Sequence, residues 1–242
     1  MNKKWILVIL FILVLDMVVG FSVKRSFIDT RTISEEVKDN CLFLNGGSFK
    51  GTDNEKFSLE KLIKDSEVII EGVASNDRIY LHGSVLTGLD VIKVYKGGIE
   101  DSRIYIFEPS YFNLGRYNNF FALYGYNLMK PGCKYVLFLK LWQYTNFVKY
   151  NPYYRGKEIY TLAHNLAIDK FEISKSSFTK VINPEARIKY GQVKDYEVFV
   201  YDKNELTEYN QLKKRVLNWI FSKSITDDSR DERKMARYTF KK

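Results

Sequence analysis

The residues with the clearest capacity for recognition chemistry are aromatic rings set among cations. Tyr111, Phe112, Tyr117, Phe120, Phe121, Tyr124 and Tyr126 fall in one short stretch, and Tyr150, Tyr153 and Tyr154 stand beside Lys149 and Arg155. Rings next to cations bind flat or charged ligands by stacking and electrostatic attraction. Tyr111, Tyr117, Phe120, Lys149, Tyr153, Tyr154 and Arg155 are therefore the candidate binding surface. The plainer account of the same rings is that they fill the mouth of a barrel and pack beneath an inserted loop.

Chemistry of the catalytic kind has little to stand on. The two histidines, His82 and His164, are far apart in sequence. Neither belongs to a His-Glu-x-x-His or Cys-x-x-Cys spacing, so no metal site is expected. No Gly-x-Ser-x-Gly elbow occurs. Glu71 and Asp90 flank apolar runs and fit the outer face of an alternating sheet better than a paired acid and base. No catalytic residue is assigned, no cofactor is expected, and both histidines are expected in exposed loops.

The chain has 242 residues, enough for one medium domain with appendages, and carries 38 Lys and Arg against 29 Asp and Glu, a net charge of +9. Its 18 Tyr and 17 Phe beside only 4 Pro match the bias of low-GC coding, which by itself explains part of the basic, aromatic character. Lys3 and Lys4 precede an apolar run over residues 5–15, followed by Asp16 and a second apolar piece over residues 17–23. This is a signal peptide or a retained signal-anchor helix. Small residues around Gly20 and Ser22 favour cleavage, as does Asp16, which at a bilayer centre costs about 2.5–3.5 kcal/mol. Against cleavage, no Ala-x-Ala site is present. Either way the body is expected outside the cytoplasm, anchored or secreted. A nucleic-acid partner is then excluded, and an anionic envelope polymer, a glycan or a partner protein is preferred.

Cys41 and Cys133 could form one disulfide in an exported chain, or remain two small apolar thiols.

The elements that must position these residues follow from periodicity. Residues 24–56 read as a polar tether holding one short strand at Cys41-Leu42-Phe43-Leu44. Ser58 can cap a short helix over residues 59–64. Two β-branched runs, Val68-Ile69-Ile70-Glu71-Gly72-Val73 and the stretch from Val85 to Gly97-Gly98, describe paired strands separated by a polar loop over residues 75–78. Residues 103–108 alternate, with Ile104 and Ile106 on one side, and Pro109 stops them. Residues 111–126 have no clean period and read as an insertion. After a Lys130-Pro131-Gly132 turn, residues 134–141 form a strongly apolar strand. Residues 158–163 and 166–173 suggest a hairpin around His164-Asn165, and residues 197–201 a last strand. Leu206, Tyr209, Leu212, Val216 and Ile220 recur at helical spacing, so residues 203–225 form an amphipathic helix packed on the domain. Residues 226–242 read as a disordered charged tail. The expected fold is mainly β, of α+β type: a barrel domain over residues 57–202, a short helix at its start and the long helix at its end.

The segments "KDSEVIIEGVAS", "LDVIKVYKGGIED", "RIYIFEPS" and "LMKPGCKYVLFLKLW", taken in order, resemble a pattern in exported proteins of Gram-positive bacteria. That pattern looks like the OB-like barrel of the tissue-inhibitor-of-metalloproteinase and netrin-module superfamily. The likeness covers residues 57–142 and rests on structural positions. It implies a closed barrel with a helix against it. In that superfamily an N-terminal Cys of the mature chain contributes to inhibition, whereas Cys41 lies well inside this chain, so inhibitory activity does not carry over.

Together these readings describe a non-catalytic, extracytoplasmic, membrane-associated protein that binds an envelope component or partner protein through a basic, aromatic surface. The alternatives are an envelope enzyme without a recognisable motif, and a structural or signalling membrane protein that uses its C-terminal helix.

Overall fold

A computed structural model of the chain describes residues 5, 12–20, 33–48, 58–115, 117–143, 151, 153–173, 179–183 and 186–239, with side chains as far as residue 224. Ten of the residues at the N-terminus are described, Trp5 and residues 12–20, and they are helical and exposed. Among the described residues no helix is long and apolar enough to cross a membrane. Most of the expected targeting segment and of the 24–32 and 49–57 stretches lies outside the described residues.

The alternating β-branched runs form long strands. β2 (Val68–Leu81) and β3 (Ser84–Lys96) pair antiparallel, and β4 (Arg103–Glu108) adds to β3 in the same sense. β7 (Lys134–Leu141) pairs antiparallel with β2 and with β8 (Ile159–Leu162), while β8 lies parallel to β4. The circuit β2-β3-β4-β8-β7-β2 is a closed barrel of five strands. Closure removes the sheet edges that would otherwise need protection.

Two glycines make the tight places possible. Gly72 sits where a Cβ would lie 2.5 Å from Leu89 Cδ2 and 2.8 Å from the Asp90 carbonyl. Gly97 closes β3 at φ +82°, a conformation that favours glycine, with the Glu67 carbonyl 2.6 Å from where a Cβ would stand.

Four expectations are corrected by packing. Residues 75–78 are not a loop: they continue β2 across a bulge. Ser75 Oγ donates to the Gly88 carbonyl at 3.0 Å and accepts from Asp77 N at 3.1 Å, so side chains satisfy the backbone where the ladder slips. The insertion over residues 111–126 holds β5 (Tyr111–Asn113) and β6 (Asn119–Ala122), which join β1 (Leu42–Asn45) in a second sheet of order β1-β6-β5. The hairpin around His164 does not form. β8 and β9 (Lys170–Glu172) lie one after the other along the same edge of β7, the edge opposite β2, and a 3-10 turn at Ala167–Asp169 carries the chain from one to the next. Residues 197–201 make only isolated bridges, Tyr126 with Val198 and Val181 with Val200.

Two short helices frame the sheets, α1 (Glu35–Asn40) and α2 (Leu59–Asp65), capped by Ser34 and Ser58 respectively. The long helix α3 (Lys203–Thr239) packs Tyr209, Leu212, Val216 and Ile220 into the core, the stripe expected from spacing. It continues well past residue 225, into the segment read as a disordered tail. That segment contains neither Gly nor Pro, and nothing in the sequence stops the helix there. Tyr209 stacks on Phe171 of β9 with ring centres 5.7 Å apart, and Trp219 meets Tyr95 of β3 at 5.7 Å.

Cys41 and Cys133 are free thiols. Cys41 is buried at the end of α1, where its thiol donates to the Val37 carbonyl at 3.2 Å and burial pushes its pKa up to about 11. Cys133 is half-buried in the turn before β7.

Candidate functional site

The inward face of β4 presents Ile104, Ile106 and then Glu108, so strand alternation drives a carboxylate into the barrel. Glu108 is fully buried. Its Oε2 accepts from the Tyr126 hydroxyl at 2.8 Å and the Met129 amide at 2.7 Å, and its Oε1 accepts from the Thr87 hydroxyl. Buried carboxylates persist where donors and a counter-charge surround them. The counter-charge is Arg78, whose side chain is 10% exposed and whose Nη2 lies 3.7 Å from Glu108 Oε1. Burial opposes the guanidinium charge, but Glu108 and the nearby phenols of Tyr80 and Tyr190 outweigh it and raise its pKa.

Arg78 and Tyr80 follow Ile70, Gly72 and Ala74 at even spacing on the inward face of β2, a face that the bulge leaves unchanged. They line a cleft of about 470 Å³ between the barrel and the small sheet. Lys38 of α1, Lys130 before β7 and Lys194 supply further cations, and Tyr80, Phe112 and Tyr190 supply rings. Tyr190 meets Phe112 edge-on with centres 5.2 Å apart, which fixes two of the three rings against each other. Each lysine already has a carboxylate: Lys38 pairs with Glu35 at 2.7 Å, Lys130 with Glu172 at 3.3 Å and Lys194 with Asp39 at 2.7 Å. Arg78 differs, because its Nε and Nη2 make no hydrogen bond to any described residue. Unmet buried donors are uncommon in folded proteins and mark places that merit a functional account.

A second buried polar group lies behind the cleft. Lys170 Nζ donates to the Asn127 carbonyl and lies 4.2 Å from the Tyr126 ring centre, and burial pulls its pKa down to about 8. Glu197 accepts from Glu172 N at 2.7 Å, Tyr209 OH at 2.9 Å and Lys213 Nζ at 2.5 Å, tying α3 to β9.

The residues singled out by aromatic spacing lie elsewhere. Phe120 is fully buried, packed 4.8 Å from Phe112 and 4.2 Å from Tyr190, and belongs to the core rather than to a surface. Tyr111 is half-buried and stacks on Phe121 at 5.3 Å, while Tyr117 is 67% exposed at the loop tip. Tyr153 and Arg155 are exposed, and Tyr154 packs against Trp142 and Phe107 at 5.5 and 5.9 Å. Lys149 lies outside the described residues. The stretch nonetheless contributes to the cleft, through Phe112. Neither Arg78 nor Glu108 is among the residues expected from the sequence: a polar run after a strand reads as a loop and hides Arg78, whereas the period of Ile104 and Ile106 is a signal that points to Glu108.

The histidines also separate. His82 is exposed in the β2–β3 turn. His164 is not an exposed loop residue: its side chain is 14% exposed, with Nδ1 2.7 Å from Asp169 Oδ1 and Nε2 3.2 Å from Asp65 Oδ2. Asp169, also hydrogen-bonded to the His164 amide at 2.7 Å, raises the imidazole pKa, and Asp65, itself paired with Lys61 at 3.1 Å, adds to the shift. Carboxylates on both ring nitrogens clasp α2 to the β8–β9 connection. A raised folded-state pKa means the clasp contributes fully below the unfolded value of about 6.5 and fades as pH rises through the folded value. The melting temperature of the protein, minus that of a His164→Gln variant, is expected to fall with rising pH across that window. A difference independent of pH would remove the clasp. Among the described residues no group of three or more His, Cys, Asp and Glu side chains is placed to hold a metal ion.

Comparison of the chain with protein-family models, with curated proteins and with solved structures finds no match.

Proposed function

We propose that the chain is a binding protein without a catalytic role, exported and tethered to or released from the membrane by its N-terminal segment. In this reading an OB-like barrel presents the Arg78 cleft to an anionic envelope component or to an acidic partner protein. The strand circuit, with four antiparallel contacts and a parallel contact of β4 with β8, supports the OB-like description. Export rests on the apolar run behind Lys3 and Lys4. The observation that carries the binding role is Arg78: a nine-tenths buried guanidinium with two donors unused, in a cleft that also holds three rings. The cleft volume of about 470 Å³ falls in the range of small-ligand sites. Arg78 with Tyr80, Phe112 and Tyr190 is a basic, aromatic group made of residues other than the candidate surface read from the sequence.

The full chain, mixed with the isolated envelope of its own cells and sedimented, is expected to pellet with that envelope. An Arg78→Lys variant is expected to be retained at least tenfold less well, while Tyr153→Ala with Tyr154→Ala is expected to pellet as the parent does. Equal retention of the parent and Arg78→Lys would refute a role for the cleft.

A further inference from the structure

The pairing pattern of the cleft says more about its ligand than the overall charge of the protein does. The lining contains four cations, Lys38, Arg78, Lys130 and Lys194, against two carboxylates, Glu35 and Asp195. That excess is nominal, because Glu108, Glu172 and Asp39 stand directly behind Arg78, Lys130 and Lys194. No large positive potential is left to attract a polyanion. What remains is one edge of one guanidinium. In arginine, Nε–H and one N–H of Nη2 point the same way, as a two-pronged fork that matches two oxygens of a single anionic group. Those are the two nitrogens of Arg78 without a hydrogen-bond partner.

We infer that the cleft takes a singly charged, two-oxygen anion, a carboxylate or a phosphodiester, gripped side-on by Arg78, with the ligand's flat or apolar body against Tyr80, Phe112 and Tyr190. The inference rests on the binding role proposed above and specifies its chemistry. Glu108 Oε1 faces Nη2 at 3.7 Å, close enough to neutralise Arg78 but beyond hydrogen-bond reach, and its oxygens accept from Thr87, Tyr126 and Met129 instead. A monoanion joins this arrangement with little charge to spare, whereas a dianion brings a second charge that the lysines, already paired, do not meet. Nε and Nη2 lie beneath the cleft surface, so the ligand reaches them as a wall side chain turns aside. Lys38, held by Glu35 at 2.7 Å and with its ammonium 4.6 Å from the Tyr80 ring centre, is the wall side chain that would turn aside.

Calorimetric titration of the full chain tests this with four small probes at about pH 8, where a phosphomonoester is a dianion. Benzoate and diphenyl phosphate carry one charge on two oxygens, phenyl phosphate carries two charges, and benzyl alcohol none. Binding of benzoate or diphenyl phosphate at least tenfold tighter than phenyl phosphate and benzyl alcohol is expected, and which monoanion is preferred identifies the carboxylate or the phosphodiester as the source. Arg78→Lys, which keeps the charge and loses the fork, is expected to weaken that probe at least tenfold. Arg103→Gln, outside the cleft and already paired with Asp90, is expected to change it less than twofold. Phenyl phosphate binding as tightly as the monoanions, or an equal loss in Arg103→Gln, would overturn the inference. The ranking of probes on the unaltered protein decides the matter even if Arg78→Lys does not fold. Failure of both monoanions while envelope retention still depends on Arg78 would discard this ligand chemistry and leave the binding role standing.

Discussion

Replacing Glu108 with alanine is expected to destabilise the protein by about 3–5 kcal/mol, the cost of removing one partner from a buried ion pair. The change strands four groups at once. Arg78 loses its counter-charge, and Thr87, Tyr126 and the Met129 amide lose their acceptor inside the barrel. Glu108→Gln keeps the shape and an acceptor oxygen, so it retains part of the hydrogen bonding and is expected to cost less than alanine. Glu108→Leu combined with Arg78→Met removes both charges and is expected to be more stable than Glu108→Ala alone, though not as stable as the parent because Tyr126 and Met129 still lack an acceptor. Urea unfolding of the four proteins measures the order. If Glu108→Ala unfolds within about 1 kcal/mol of the parent, the typical effect of an ordinary substitution, the carboxylate is not the centre of this network.

Glu197→Ala is expected to cost about 3 kcal/mol and to loosen α3 from the barrel. One carboxylate there accepts from Glu172 N in β9 and from Tyr209 and Lys213 in α3, all at 2.5 to 2.9 Å. Hydrogen bonds to charged groups contribute more than neutral ones, and the change removes the carboxylate that faces Lys213, whose side chain is 13% exposed. The effect should be local. Hydrogen exchange is expected to accelerate first in α3, around Tyr209 to Val216, while β3 and β4 remain protected. Uniform acceleration through the barrel would mean that Glu197 supports the whole core rather than the helix.

Much of the barrel was legible because its strands alternate cleanly. Residues 68–73, 85–96 and 134–139 carry runs of Val, Ile and Leu that have no other economical reading, and the spacing of Tyr209, Leu212, Val216 and Ile220 named the buried face of α3. What failed shares a cause: sequence adjacency was taken for spatial adjacency. β8 and β9 are neighbours in the chain, yet they do not pair with each other: both add to the edge of β7 opposite β2, which supplies the partner that a hairpin would have supplied. β1 reaches across the chain to pair parallel with β6, a contact that no local pattern announces. The aromatic stretch from Tyr111 therefore became a small sheet rather than a binding loop, with Phe120 in its core.

The site itself was partly legible. A carboxylate following Ile104 and Ile106 at the same period points inward by geometry alone, and a buried carboxylate requires a cation. Which cation could not be read, since Arg78 lies in Ser75-Asn76-Asp77-Arg78, four polar residues that look like a turn. The pairing of Arg78 with Thr87 and the hydrogen bonds of Ser75 to Gly88 and of Tyr105 to Asp77 hold that segment in the sheet.

The central claim is that the Nε and Nη2 edge of Arg78 receives the ligand. The most direct measurement is the side-chain Nε–H signal of Arg78 in arginine-labelled protein, assigned by its loss in Arg78→Lys, followed as benzoate or diphenyl phosphate is added. A downfield shift with slowed hydrogen exchange at Arg78, and none at the exposed Arg155 and Arg187, is the predicted result. An Arg78 signal unmoved at saturating concentrations of both probes would contradict the account.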